Sequence, residues 1–277
     1  MSLRRVRSAL FLVSLGSTAA FIGVRGASQA YAAAEAAETD GGSADPAISL
    51  NAALTQPSGS WTYSGSLNTD ASLGYSPLGV AGIFLNSFIY GFSDAVQGSL
   101  TVQPLLTDNS YVSGTAALKA GVRTGAISSL SGEVGFSLLR FHSGSSANDD
   151  RPWIKVPRAS LFATACLGAD CGSHFSAHVR YLLAFSDPGT TQQSLLYGVN
   201  LLQRVGAHVK LRLDVEGASD EIGGDLQKRP GFALTYGLRF FVTDLAADVG
   251  LMKPIGGGKD DRIHLGLPSV ALAYRWR

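Results

Sequence analysis

From residue 207 to 217 the chain reads AHVKLRLDVEG, with Val209, Leu211, Leu213 and Val215 at odd positions and His208, Lys210, Arg212, Asp214 and Glu216 at even ones. A strict period of two gives a strand one apolar and one ionisable face, whereas on a helix the two sets would mix. The division recurs in Phe175, Ala177, Val179, Tyr181, Leu183 and Phe185 against His174, Ser176, His178 and Arg180. It recurs again in Phe232, Leu234, Tyr236, Leu238, Phe240 and Val242 against Thr235, Gly237 and Arg239. Counting back from the C-terminus predicts twelve strands, over 268–277, 245–253, 231–243, 207–217, 193–204, 173–186, 153–167, 130–141, 111–123, 95–105, 81–92 and 60–72. Ten or fourteen stay open, because Ile83 to Phe92 is apolar on both faces and Ile48 to Thr55 reads as a strand or as a plug-like leading segment.

Soluble β-sandwiches also alternate, so strand length decides between them and a membrane barrel. Several runs reach 10 to 13 residues, against a usual ~5–6 in globular proteins. An 11-residue strand tilted near 40° rises roughly 28 Å, about the thickness of a bilayer's hydrocarbon core. Nearly every strand carries an aromatic on its apolar face, as barrels do where they cross the membrane interfaces. The fold class expected is all-β: a transmembrane antiparallel up-and-down barrel over residues 47–277. With the C-terminus on the periplasmic side, Thr243-Asp244, Arg204-Val205-Gly206 and Ser93-Asp94 are short inner turns. Gly144 to Arg151, Asp187 to Gln193, Gly217 to Pro230 and Pro254 to Asp261 are outer loops.

Hairpin register adds detail. A two-residue turn at Thr243-Asp244 pairs Val242 with Leu245, Phe240 with Ala247 and Leu238 with Val249, which sets Arg239 across from Asp248 on the lumen face. A three-residue turn with Gly206 in the left-handed conformation pairs Leu201 with Val209 and Tyr197 with Leu213, and sets Asn200 across from Lys210.

The 277 residues include 33 Gly and two Cys, with 16% charged residues and a net charge of +1. So low a charged fraction, against ~25% in ordinary domains, argues against a disordered chain, and with so few Cys also against a disulfide-stapled miniprotein and a nucleic-acid binder. Arg4, Arg5 and Arg7 precede the apolar stretch Ala9 to Leu15, and Ala30-Tyr31-Ala32 forms an A-x-A site, so residues 1–32 read as a secretory signal peptide. Ser14, Gly16, Ser17, Thr18 and Gly23 interrupt the run too often for a membrane anchor. Arg4-Arg5 resembles a twin-arginine signal, but Val6-Arg7 replaces the apolar residues expected next, which favours general export. Cleavage removes four of the 22 basic residues and leaves 18 against 21 acidic ones, a net charge of −3. Residues 33–46 read as a flexible linker.

The inward positions carry the candidate chemistry: Glu133, His174, His178, Arg180, Lys210, Arg212, Asp214, Glu216, Arg239, Asp248 and Arg275 are expected to line a pore. Mixed charges across a water-filled lumen screen solutes by charge and dipole. In the competing reading they pair and close the interior, and twelve strands lie between filled eight-strand and open sixteen-strand barrels. His174 and His178 lie about 13 Å apart on a strand, too far to share a metal, and no metal, cofactor or catalytic residue is expected. Cys166 and Cys171 flank Leu167-Gly168-Ala169-Asp170 at an inner turn, where an oxidising compartment favours a disulfide over free thiols.

Val270, Leu272, Tyr274 and Trp276 alternate with Ala271, Ala273, Arg275 and Arg277, an end that resembles the C-terminal signal read by the assembly machinery of bacterial outer-membrane barrels, with Arg277 where those proteins usually end on an aromatic. The stretch YGLRFFVTDLAADVGL, Tyr236 to Leu251, with the closing AYRWR, resembles the final hairpin of small outer-membrane transporter barrels, including the group of the meta pathway of phenol degradation. That resemblance implies an outer-membrane location and a transport role. His174-Phe175-Ser176 resembles the His–Ser spacing of lipid A deacylases, and Phe141-His142-Ser143-Gly144 is similar to a stretch of outer-membrane phospholipases. The favoured expectation is a monomeric outer-membrane channel for small solutes, with outer-membrane lipids and the assembly machinery as partners and no nucleic acid. Ranked behind it are a structural or adhesive barrel acting through its outer loops, and a lipid-modifying enzyme.

Overall fold

The computed structural model describes residues 31–32, 48–49, 52–68, 83–103, 111–123, 128–141, 153–167, 171–186, 190–220, 231–255 and 266–276. The expected signal peptide and linker lie outside these residues except for Tyr31–Ala32 (β1), which pairs with Ile48–Ser49 (β2) as a separate two-residue ladder. Gly144 to Arg151, Phe141-His142-Ser143-Gly144 beyond Phe141, and Arg277 also lie outside them.

Twelve strands form the closed barrel: β3 (Trp61–Asn68), β4 (Ile83–Ser93), β5 (Val96–Gln103), β6 (Tyr111–Arg123), β7 (Ser128–Phe141), β8 (Ile154–Cys166), β9 (His174–Ser186), β10 (Thr190–Gly206), β11 (Val209–Asp220), β12 (Gly231–Val242), β13 (Leu245–Ile255) and β14 (Leu267–Trp276). Each pairs antiparallel with the next, and β14 returns to β3 through Trp276↔Trp61, Tyr274↔Tyr63 and Ala271↔Ser66. Closure matters because unpaired backbone amides and carbonyls have no water partner in hydrocarbon, so a spanning sheet must have no edge.

The pleat then sorts side chains. Lys210 is 1% exposed while its neighbour Leu211 is 44% exposed, and the same inversion runs around the barrel, with Leu118, Val134, Leu161, Val249 and Leu272 outside. Such a surface suits hydrocarbon, not water, and makes this a transmembrane barrel. Where β14 meets β3, Trp61 lies between Tyr90 and Trp276 at the end where the barrel chain starts and finishes, with ring centroids 4.6 Å apart for Trp61–Tyr90 and 6.4 Å for Trp61–Trp276. Aromatic rings with apolar bodies and polar edges belong at a membrane interface.

The Thr243-Asp244 hairpin has the register read from the sequence: Val242↔Leu245, Phe240↔Ala247, Leu238↔Val249 and Arg239↔Asp248. Thr243 takes the left-handed conformation, at φ 43°. The neighbouring hairpin corrects the expectation. Its turn is Ala207-His208, with Gly206↔Val209, a bulge between Arg204 and Gly206, and Leu201↔Leu213, Tyr197↔Gly217 and Asn200↔Asp214. Gly206 does not take the left-handed conformation. β10 runs two residues further, to Gly206, β11 starts two residues later, at Val209, and the bulge absorbs the odd residue. The shift is even, so faces are kept, but Asn200 meets Asp214 instead of Lys210, and His208 lies in the turn, exposed. Lys210 and Arg204 sit over the Phe241 ring, 5.1 and 5.7 Å from its centroid. Gly217 is required at its new place, since a Cβ there would lie 2.6 Å from the Tyr197 ring.

Substituting Val249, outward in the middle of β13, with Arg is expected to cost about 2–4 kcal/mol of folding free energy in lipid vesicles if it sits near the bilayer midplane, whereas Val249→Leu leaves it nearly unchanged; reversible urea titration of the vesicle-inserted protein measures both.

Candidate functional site: the lumen and the segment at its turn end

Large ionisable residues project from one arc of the barrel toward an opposite wall of small ones. Thr62, Ser64, Ser66 and Ser87 on β3 and β4, with Ala271 and Ala273 on β14, are buried inward. Ser87 shares a 2.9 Å hydrogen bond with Thr101 on β5, and Thr115 and Ser137, on β6 and β7, share one of 2.8 Å.

All eleven residues read from the sequence as lumen groups are buried inside the barrel, but they fall into separate clusters. In the first, Asp248 accepts from Arg239 Nε at 2.7 Å, Arg239 Nη2 at 3.0 Å and Arg212 Nη1 at 2.7 Å, while Arg212 Nε bonds Asp214 at 2.6 Å. Asn200 also donates to Asp214. In the second, Glu133 is 3.1 Å from Arg158 and 3.9 Å from Arg180, and Arg180 Nε donates to Ser160 at 3.0 Å. His178 Nε2 lies 3.9 Å from Glu216. Arg275 reaches Asp244 at 3.4 Å, and Asp244's side chain is 46% exposed. His174 stands across from Cys166, and Ser176 shares a 2.9 Å hydrogen bond with Thr164. Toward the loop end, Val156, Leu182 and Leu196 form an apolar layer inside the lumen, which strict alternation of apolar and polar faces does not foresee.

Six buried Lys and Arg side chains (Lys119, Arg180, Lys210, Arg212, Arg239 and Arg275) stand against four buried carboxylates (Glu133, Asp214, Glu216 and Asp248) among the described residues. Arg158, its side chain 7% exposed, adds a further cation. Among the described residues the interior therefore carries more cations than carboxylates.

At the turn end, residues 52–57 run inside the barrel without strand pairing, with Ala52, Ala53, Leu54 and Gln56 buried. Of the two readings of the leading segment, Ile48–Ser49 pairs as a strand and residues 52–57 form the plug. Lys119 donates to the carbonyls of Ala52 and Leu54, Thr164 accepts from the Ala53 amide at 2.7 Å, and Gln97 accepts from the Gln56 amide at 2.9 Å. Ala52 and Leu54 pack on Cys171, which is bonded to Cys166 five residues away with Cα atoms 4.6 Å apart. A loop that short constrains the unfolded chain by roughly 2 kcal/mol. The close approach of Pro57 to β4 requires Gly91, where a Cβ would lie 2.1 Å from the Pro57 carbonyl oxygen.

Lys119, Arg158, Gln97 and Thr164 were not among the candidates. Lys119 had a signal, since it shares a face with Ser113 and Thr115 and stands across from Glu133. Among the described residues no group of three or more His, Cys, Asp or Glu is placed to hold a metal ion.

No family model and no curated protein matches the chain. Solved structures similar to it are the KdgM porin (12% identity, 79% of this chain and 99% of that one, TM-score 0.47) and the NanC porin (10%, 78% and 99%, 0.49). LpxR from Salmonella typhimurium is a third (10%, 78% and 99%, 0.45).

The Asp248 cluster and the Arg275–Asp244 pair differ in burial, and so in what their loss costs. Asp248→Ala removes the carboxylate that two buried guanidiniums share and is expected to destabilise the barrel by about 3–5 kcal/mol. Asp244→Ala, at a half-exposed pair, is expected to cost about 0.2–1 kcal/mol. Urea midpoints of the two variants in vesicles check the ranking.

Proposed function

We propose that the barrel is an outer-membrane channel for small anionic solutes, carboxylates or phosphates, which pass along its cationic lumen. The carrying observation is the excess of buried Lys and Arg over carboxylates along an interior walled on one side by small hydroxyls. A net positive, low-dielectric passage attracts anions and repels cations. Transport also fits the manner of closure: the turn end is shut by six residues of unpaired chain rather than by the strands themselves. In this reading the alternating C-terminal strand serves membrane assembly. The role is transport and not catalysis, since Ser176 faces inward and its hydroxyl is engaged with Thr164, away from the bilayer where an acyl chain would lie.

One observation favours a sealed structural barrel instead: Arg212, Arg239 and Asp248 are joined by hydrogen bonds inside the lumen. Planar-bilayer recordings under a KCl gradient separate the two. The channel reading expects step currents whose reversal potential lies on the chloride side, moving toward zero in Lys210→Gln. Absence of steps at every voltage, from protein whose β-sheet spectrum shows it folded, establishes the sealed barrel.

A further inference from the structure

We infer that Lys119 is an anion-binding site which residues 52–54 of the chain occupy in the closed state, so that a small carboxylate or phosphate displaces the segment and opens the lumen. This rests on the channel reading and adds its regulation.

Lys119 is 1% exposed, and across the strands from it stands Glu133. That carboxylate lies 3.1 Å from Arg158 and also faces Arg180. The acceptors bonded to the Lys119 ammonium are two neutral main-chain carbonyls, those of Ala52 and Leu54, with the Phe162 ring 4.5 Å away. Two oxygens converging on one buried ammonium is the arrangement that the two oxygens of a carboxylate, or two of a phosphate, present, and a charged acceptor binds an ammonium more strongly than a neutral one. The segment thus imitates the ligand with its backbone.

Two side chains that hold the segment take part in the same exchange, while Thr55 also donates to the Asp94 carbonyl. Thr164 and Gln97 accept from the amides of Ala53 and Gln56. With the segment gone, the Gln97 amide has N–H donors to turn toward an anion, and the Thr164 hydroxyl, shared with Ser176, has lost its Ala53 partner. Nothing in residues 52–57 is tied into a ladder, and its buried apolar contribution is two Ala and one Leu resting on the disulfide turn. A ligand shifts such an equilibrium only through its different affinity for the two states, and here the bound segment and the bound anion require the same ammonium.

Single-channel recordings of the full-length protein, with succinate added at constant ionic strength, test the inference. Succinate is expected to raise the open fraction by on the order of tenfold. Lys119→Met is expected to be open without succinate and unresponsive to it, and deletion of residues 52–57 to behave likewise should Lys119→Met fail to fold. Leu54→Ser, which keeps the ammonium, is expected to open more often and to respond at lower succinate. Lys155→Met, at an exposed lysine outside the barrel, is expected to respond as the unaltered chain does. A wild type that conducts as freely as the deletion overturns the gate and leaves the channel standing, and a Lys119→Met response equal to wild type overturns the anion site. Silence from the wild type and the deletion alike overturns the channel and this inference with it.

Discussion

A backbone amide or carbonyl in hydrocarbon has no water to bond, and that constraint shapes the whole molecule. It forces every barrel strand to have two partners, which the chain achieves when β14 returns to β3 at Trp61 and Trp276. A closed single-layer sheet has only two faces. With lipid on one of them, the charge on the strands is driven to the other, and the sequence pays for membrane insertion by spending its few ionisable residues inside.

That concentration sets the chemistry. Charges confined in a narrow interior must be paired or bonded, because desolvating a lone one costs several kcal/mol. Asp248 answers this by serving Arg239 and Arg212, and Glu133 by serving Arg158 and Arg180. Among the described residues buried carboxylates are fewer than buried cations, so part of the compensation comes from backbone oxygens, and residues 52–54 supply it to Lys119. The segment therefore satisfies a buried cation at the turn end of the barrel, and in the proposed gate that one contact couples electrostatics to access.

The barrel was legible because lipid imposes period two on each strand, and the strand positions follow from it to within a few residues. Register was legible only where side chains constrained it. Arg239 and Asp248 fix the Thr243 hairpin by opposite charge, and Thr243-Asp244 leaves no slack in the turn. Gly206 misled, because a glycine near a strand end suggests a left-handed turn, while the chain places a bulge there and turns at Ala207-His208. The apolar layer of Val156, Leu182 and Leu196 was hidden in runs whose two faces are both apolar. The segment over 52–57 has no period to read, and its bonds to Gln97, Lys119 and Thr164 reach residues 41 to 111 positions away, so no local pattern announces them. Lys119 was within reach of parity and of its cross-strand partner Glu133.

The claim beneath all of this is that alternate residues of one strand meet hydrocarbon and their neighbours meet a polar interior. A nitroxide scan through residues 209–217 of the protein in lipid vesicles tests it most directly, comparing relaxation by oxygen, which concentrates in hydrocarbon, with relaxation by a water-soluble nickel chelate. The account predicts oxygen maxima at Leu211, Leu213 and Val215 and minima at Lys210, Arg212 and Asp214, a period of two in one strand. Nickel maxima at Leu211 and Leu213, or accessibility without that period, would contradict it.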